Sequence, residues 1–303
     1  MQERNKYITS QLLNYAQDSY LERTSRPIYA VIFLLPFIIF YELGTILINT
    51  DVLNQSQVRV VAFVWLQDFL EYLGTGSKLA WAAPPLTVVV ILIALQLASR
   101  KRWWCNPDDI LPMAVECILL TMPLIVLSLL LNTADGGDVR PYDSSAMHVQ
   151  AELPHCLTRA ADDRLSEAVE PGNGTAQSKS MLADIVTGIG AGIYEELVFR
   201  LILICALMVL FQDVLRFDRT NAIILAVLIS AALFSAHHHI HFVDGQLNQR
   251  DPFNWMEFAF RTIAGIYFAV LFAFRGFGVT AGTHAFYDII ATIINGLFFG
   301  SGN

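Results

Sequence analysis

Seven apolar stretches dominate this chain: residues 28–49, 79–98, 110–132, 181–212, 222–242, 257–274 and 278–299. A hydrocarbon core of about 30 Å, crossed at 1.5 Å per residue, calls for roughly 20 apolar residues per helix. The lengths therefore predict an all-α fold, a polytopic transmembrane helix bundle of about seven spans. Residues 60–74 are also apolar, but they are shorter and interrupted by Asp68 and Glu71. They read as an interfacial or re-entrant helix, an eighth span being the alternative. Composition agrees: 55% of the 303 residues are hydrophobic and only 15% are charged, where a soluble domain carries about a quarter charged residues. Mean hydropathy is +0.50.

The net charge of −8 excludes a nucleic-acid partner, which needs a basic stripe to neutralise phosphates. Cys105, Cys117, Cys156 and Cys205 show no Cys-x-x-Cys spacing, so neither a disulfide framework nor a cysteine metal site is expected. The first apolar run follows a polar N-terminus and is too long for a signal-peptide core, so it reads as a retained anchor. Short cytoplasmic loops collect Lys and Arg. With the N-terminus inside, Arg23, Arg26, Arg100, Lys101, Arg102, Arg216, Arg219 and Arg275 fall on that side. The expected location is integral to a membrane, the bacterial inner membrane.

Three regions follow. Residues 1–132 form an N-terminal membrane region with three spans. Residues 133–180 form an acidic, solvent-exposed loop rich in Asp, Glu, Ser, Gly and Pro. Residues 181–303 form a second helix bundle that holds nearly all the ionisable groups within spans.

Charged side chains within spans cost a few kcal/mol each and persist where they face a polar cavity or one another. The fourth span contains Tyr194, Glu195, Glu196, Leu197, Val198, Phe199 and Arg200. Glu196 and Arg200 are i and i+4 and can pair, whereas Glu195 points about 100° away and is left as the free carboxylate. A poorly solvated carboxylate suits a general base, although a structural ion cluster tying helices together fits the same residues. The fifth span ends in Phe234, Ser235, Ala236, His237, His238, His239, Ile240 and His241. At most two of those imidazoles share one face. His237 and His241 have the i, i+4 spacing of metal ligands, His238 lies one turn after Phe234, and His239 and His241 read as interfacial. The seventh span adds His284 and Asp288, again i and i+4, an imidazole oriented by a carboxylate. Glu, Glu, Arg, His and His-Asp on three spans point to convergence on one site.

These residues resemble the motifs of the CAAX-protease and bacteriocin-processing (CPBP, or Abi) family of intramembrane peptidases. Its motifs Glu-Glu-x-x-x-Arg, Phe-x-x-x-His and His-x-x-x-Asn stand here, in order, as Glu195, Glu196 to Arg200, Phe234 to His238, and His284 to Asp288. The resemblance covers roughly residues 181–299. It implies a hydrolase that cleaves membrane-associated peptides or proteins within the bilayer. Glu195 would be the base and His238 its helper in activating water, with Glu196, Arg200 and Phe234 as support. His284 and Asp288 would polarise the scissile carbonyl. Asp288 departs from the usual Asn: an ionised Asp only accepts hydrogen bonds and would repel an oxyanion, so it would orient His284 or bind a metal. The resemblance leaves the cofactor as either a divalent metal such as zinc, held by His238, His284 and a Glu, or none. No His-Glu-x-x-His helix is present.

Two other classes fit an intramembrane Glu/His cluster: a transport protein with a proton or ion pathway, and a non-catalytic scaffold. Matching broken helices in two halves would mark the former, but the polar clusters sit in one half. Gly188, Gly190 and Gly192, and Gly278 with Gly282, read as close helix contacts. Glu42 and Glu116 are expected to pair with polar groups or sit at the interface.

Overall fold

The structure is a computed structural model that describes residues 15–16, 18–48, 56–74, 82–134, 148–152, 173–243, 246–249 and 255–298. A short α1 (Tyr20–Thr24) leads into α2 (Pro27–Ile48); α3 (Val61–Tyr72), α4 (Ala83–Ser99) and α5 (Ile110–Ala134) follow. After the acidic segment, α6 (Asn173–Glu196) continues through wide turns at Leu197–Ile204, a short α7 (Cys205–Met208) and wide turns at Val209–Val214. The chain then forms α8 (Arg219–His239), α9 (Trp255–Arg275) and α10 (Phe277–Phe298).

Among the described residues six helices are long and apolar enough to cross a membrane: α2, α5, the α6–α7 rod, α8, α9 and α10. The span expected at 79–98 is α4, whose 17 residues sit at the short end of the crossing range. The 60–74 stretch is α3, whose 12 residues reach about 18 Å and fall short of a crossing. The bundle is all-α, with two short antiparallel ribbons outside the spans. In one, β1 (Ser56–Val60) pairs with β2 (His148–Glu152), so part of the expected acidic loop returns to the N-terminal region. In the other, β3 (Ile240–Val243) pairs with β4 (Gln246–Gln249). Most of 133–180 lies outside the described residues, although α6 starts at Asn173, eight residues (173–180) before the expected boundary at 181.

Burial ranks the helices. In α10, 67% of the crossing segment is buried, against 17–39% in the other five. The cause is legible in its side chains: Gly278, Thr280, Ala281, Gly282, Thr283 and Ala285 let neighbours approach, and α10 packs on α6, α5, α2 and α9. On α2, by contrast, Leu35, Ile39, Leu43 and Leu47 are exposed every fourth residue, a stripe suited to lipid.

One end of the bundle is tied by ions. Arg23 pairs with Asp109 at 2.8 Å, Arg102 with Asp18 at 3.0 Å, and Arg275 with Glu116 at 2.5 Å. Arg275 also donates to the Leu21 carbonyl and to Thr24 Oγ1. The N-terminal segment, the α4–α5 connection and the α9–α10 junction therefore meet.

Candidate active site

The site begins with a close approach of two backbones. A methyl built on Gly188 would lie 2.6 Å from Asp288 Cβ, and one on Gly192 would lie 2.5 Å from the Ala285 backbone nitrogen. Only glycine fits there, and the contact brings the C-terminal end of α6 against the polar face of α10. Directly after Glu196 the helix widens into i→i+5 turns, a feature frequent at functional sites.

Glu196 joins three elements. Its Oε1 accepts from His284 Nδ1 at 2.8 Å, and its Oε2 faces Arg200 Nε at 3.1 Å, with both side chains fully buried. The i, i+4 pair read from sequence is therefore present. Arg200 also donates to the Gly265 carbonyl of α9 at 3.3 Å, and its guanidinium lies 4.2 Å over the Phe234 ring of α8. His284 stacks on Phe268 at 4.5 Å between centroids. Its Nε2 is 3.6 Å from Asp288 Oδ2, and neither Asp288 oxygen has a hydrogen-bond partner. Glu196, not Asp288, thus makes the hydrogen bond that orients His284.

Glu195 stands outside the Glu196–Arg200 pair and faces two imidazoles of α8. Its Oε1 lies 3.6 Å from His237 Nε2 and 3.8 Å from His238 Nε2, while Oε2 is buried without a hydrogen-bond partner. His238 donates from Nδ1 to the Phe234 carbonyl at 2.8 Å, which leaves Nε2 of the neutral ring as an acceptor directed at the carboxylate. Two acceptors facing one another across 3.8 Å call for a bridging donor or cation. A water molecule supplies the first, and a metal ion the second.

Glu195, His237 and His238 are also the one group, among the described residues, whose potential ligand atoms all lie within 4.8 Å of one another. A carboxylate and two imidazoles suit zinc, and two ligands on bonds of about 2.0–2.1 Å in a tetrahedron stand about 3.4 Å apart. The observed spacing fits. His237 joins Glu195 and His238 in that group, while His284, a ligand candidate in the sequence, is hydrogen-bonded through Nδ1 to Glu196. The sequence set His237 beside His241 and not beside His238, because adjacent helical residues fan apart; here Glu195 sits where the rings of both His237 and His238 reach it. The expected pairing of His237 with His241 on one helical face does not form, because α8 stops at His239 and residue 241 is in β3. The His239 and His241 side chains lie outside the described residues.

The two clusters adjoin: the Phe234 ring lies 4.9 Å from the His238 ring and 6.1 Å from the His284 ring, between centroids. The N-terminal half supports them too: Tyr194 donates to Glu42 Oε1 on α2 at 3.3 Å, the pairing expected for Glu42.

Residues 177–301 match the family model described as Type II CAAX prenyl endopeptidase Rce1-like, the CAAX-protease family to which the three motifs point. The matched segment contains Glu195, Glu196, Arg200, Phe234, His238, His284 and Asp288, and leaves α1–α5 outside. Neither a curated protein nor a solved structure matches the chain significantly.

Proposed function

We propose that this integral membrane protein is an intramembrane endopeptidase that hydrolyses membrane-associated peptides or proteins with Glu195 as the base. The observation that carries the proposal is the buried carboxylate of Glu195 opposite the acceptor nitrogen of His238. That gap suits a water molecule whose protons point at both. Glu195 takes a proton as the oxygen attacks the scissile carbonyl, His238 holds the second hydrogen and the angle of approach, and Glu195 then returns its proton to the leaving amine nitrogen as the C–N bond breaks. His284, whose Nδ1 donates to Glu196, would face the developing oxyanion as an imidazolium that donates from Nε2. Arg200 fixes Glu196 by spanning α6, α8 and α9.

If a divalent metal is bound, Glu195, His237 and His238 would hold it, and it would supply Lewis acidity and a more acidic water. The family description names a CAAX prenyl endopeptidase. Farnesylated peptides ending in a CAAX sequence, beside their unmodified forms and a general peptide library, are therefore the substrates to test first.

The test compares purified wild type with Glu195→Gln in detergent. Cleavage by wild type alone supports the proposal. Equal cleavage by both removes Glu195 as base, and cleavage by neither favours transport or scaffolding.

A further inference from the structure

The orientation of His237 poses a question that the matched segment does not answer. His238 is held by a hydrogen bond from Nδ1, and metal-binding or catalytic imidazoles are ordinarily fixed in this way. His237 Nδ1 has no hydrogen-bond partner although the ring is buried. Its position is set by neighbouring rings: Trp65 at 4.9 Å between centroids, Phe199 at 5.4 Å and His238 at 4.7 Å. These separations lie in the range where aromatic pairs attract. Phe199 and His238 come from the catalytic half. Trp65 comes from α3, far away in sequence.

α3 is seated for this contact. Phe63, fully buried, meets the Tyr194 ring edge-on at 5.0 Å, directly beside Glu195 in the chain. Tyr41 of α2 lies against both rings, at 5.9 Å from Phe63 and 5.5 Å from Tyr194. Two residues after Phe63, Trp65 reaches His237 while 40% of its surface stays exposed. Its indole therefore forms a wall of the site.

We infer that Trp65 is a positioning residue that holds the His237 imidazole with Nε2 toward Glu195, a role resting on the proposed use of the Glu195–His237–His238 cluster. Losing a group that orients such an imidazole costs about 10- to 100-fold in activity or metal affinity. Phenylalanine keeps an aromatic face at the same place, so Trp65→Phe retains the function and Trp65→Ala does not.

The experiment has two arms on full-length protein in detergent. In the first, peptide cleavage is compared among wild type, Trp65→Ala, Trp65→Phe and the exposed control Trp104→Ala. A fall in kcat of about 10- to 100-fold with unchanged KM in Trp65→Ala alone is expected. A rise in KM alone makes Trp65 a substrate contact and overturns the inference. In the second, diethylpyrocarbonate labelling of individual histidines is followed by mass spectrometry. His237 is expected to label severalfold faster in Trp65→Ala but not in Trp65→Phe, with His238 unchanged. Unchanged His237 labelling overturns the inference, as does faster labelling of both histidines, which marks general loosening. The labelling arm needs no turnover, so a wild type that cleaves nothing would sink the peptidase reading and still decide the role of Trp65.

Discussion

Glu196 and His284 share a 2.8 Å hydrogen bond between two buried side chains, and it fixes the division of labour between two adjacent glutamates. Glu196 accepts from His284 and faces Arg200, so Glu196→Gln keeps the shape but loses a charged acceptor for both. Truncating one member of a buried charged set costs about 3–5 kcal/mol. Glu196→Gln is therefore expected to lower stability and activity together, whereas Glu195→Gln removes cleavage with stability near wild type; thermal unfolding beside peptide cleavage separates them. Asp288 yields a different expectation. With no hydrogen bond at either oxygen, its carboxylate is replaceable by the family's usual amide, which can donate toward an oxyanion. Asp288→Asn should keep cleavage within about tenfold, against a loss of about 100-fold or more in His284→Ala. Equal losses in the two would show that the charge of Asp288 is required. Most of this site was legible in the sequence, because ionisable groups within apolar runs are costly and therefore conspicuous. The grouping of His237 with Glu195 and His238 was not, since it depends on where Glu195 sits between two helices, which no periodicity reports.

At the scale of the elements, the axial contact of α6 with α10 decides whether the site exists. Gly192 meets Ala285 backbone and Gly188 meets the Asp288 side chain, so the glycine spacing noticed in the sequence has its physical cause in two helices packed without side chains between them. Gly192→Leu forces α10 outward or rotates it. Overpacking costs typically about 1–3 kcal/mol, and a 1 Å misplacement costs about 100-fold in rate. Activity is thus expected to fall further than stability, which parallel unfolding and cleavage measurements will show; a variant that unfolds first would contradict it. The wide turns after Glu196 and the β1–β2 ribbon escaped the sequence reading. The former hide inside a run of Leu, Val and Ile that also fits an ordinary helix, and the latter joins segments 92 residues apart, from Ser56–Val60 to His148–Glu152.

For the whole molecule, the two halves are held together at two places by different chemistry. At the site, contact is aromatic, through Phe63 and Trp65 on Tyr194 and His237. At the junction of α9 and α10 it is ionic: Arg275, 7% exposed, takes both oxygens of Glu116 and reaches back to α1 through Leu21 and Thr24. α10 begins two residues past Arg275, at Phe277, and carries His284 and Asp288. The seven-run pattern announced a bundle without saying which helix is central; the low hydropathy of α10 was the hint, since a helix shielded from lipid can carry threonine, histidine and aspartate. Glu116→Ala leaves the Arg275 charge without its carboxylate, and because Glu116 is partly exposed the cost is set below the fully buried case, at about 2–3 kcal/mol. Replacing both partners, as Glu116→Leu with Arg275→Met, removes the stranded charge and is expected to recover most of that loss. A double-mutant cycle of denaturant unfolding in mixed micelles measures the difference. A double variant no more stable than Glu116→Ala would show that the remaining Arg275 contacts to α1, and not its pairing with Glu116, hold the N-terminal half in place.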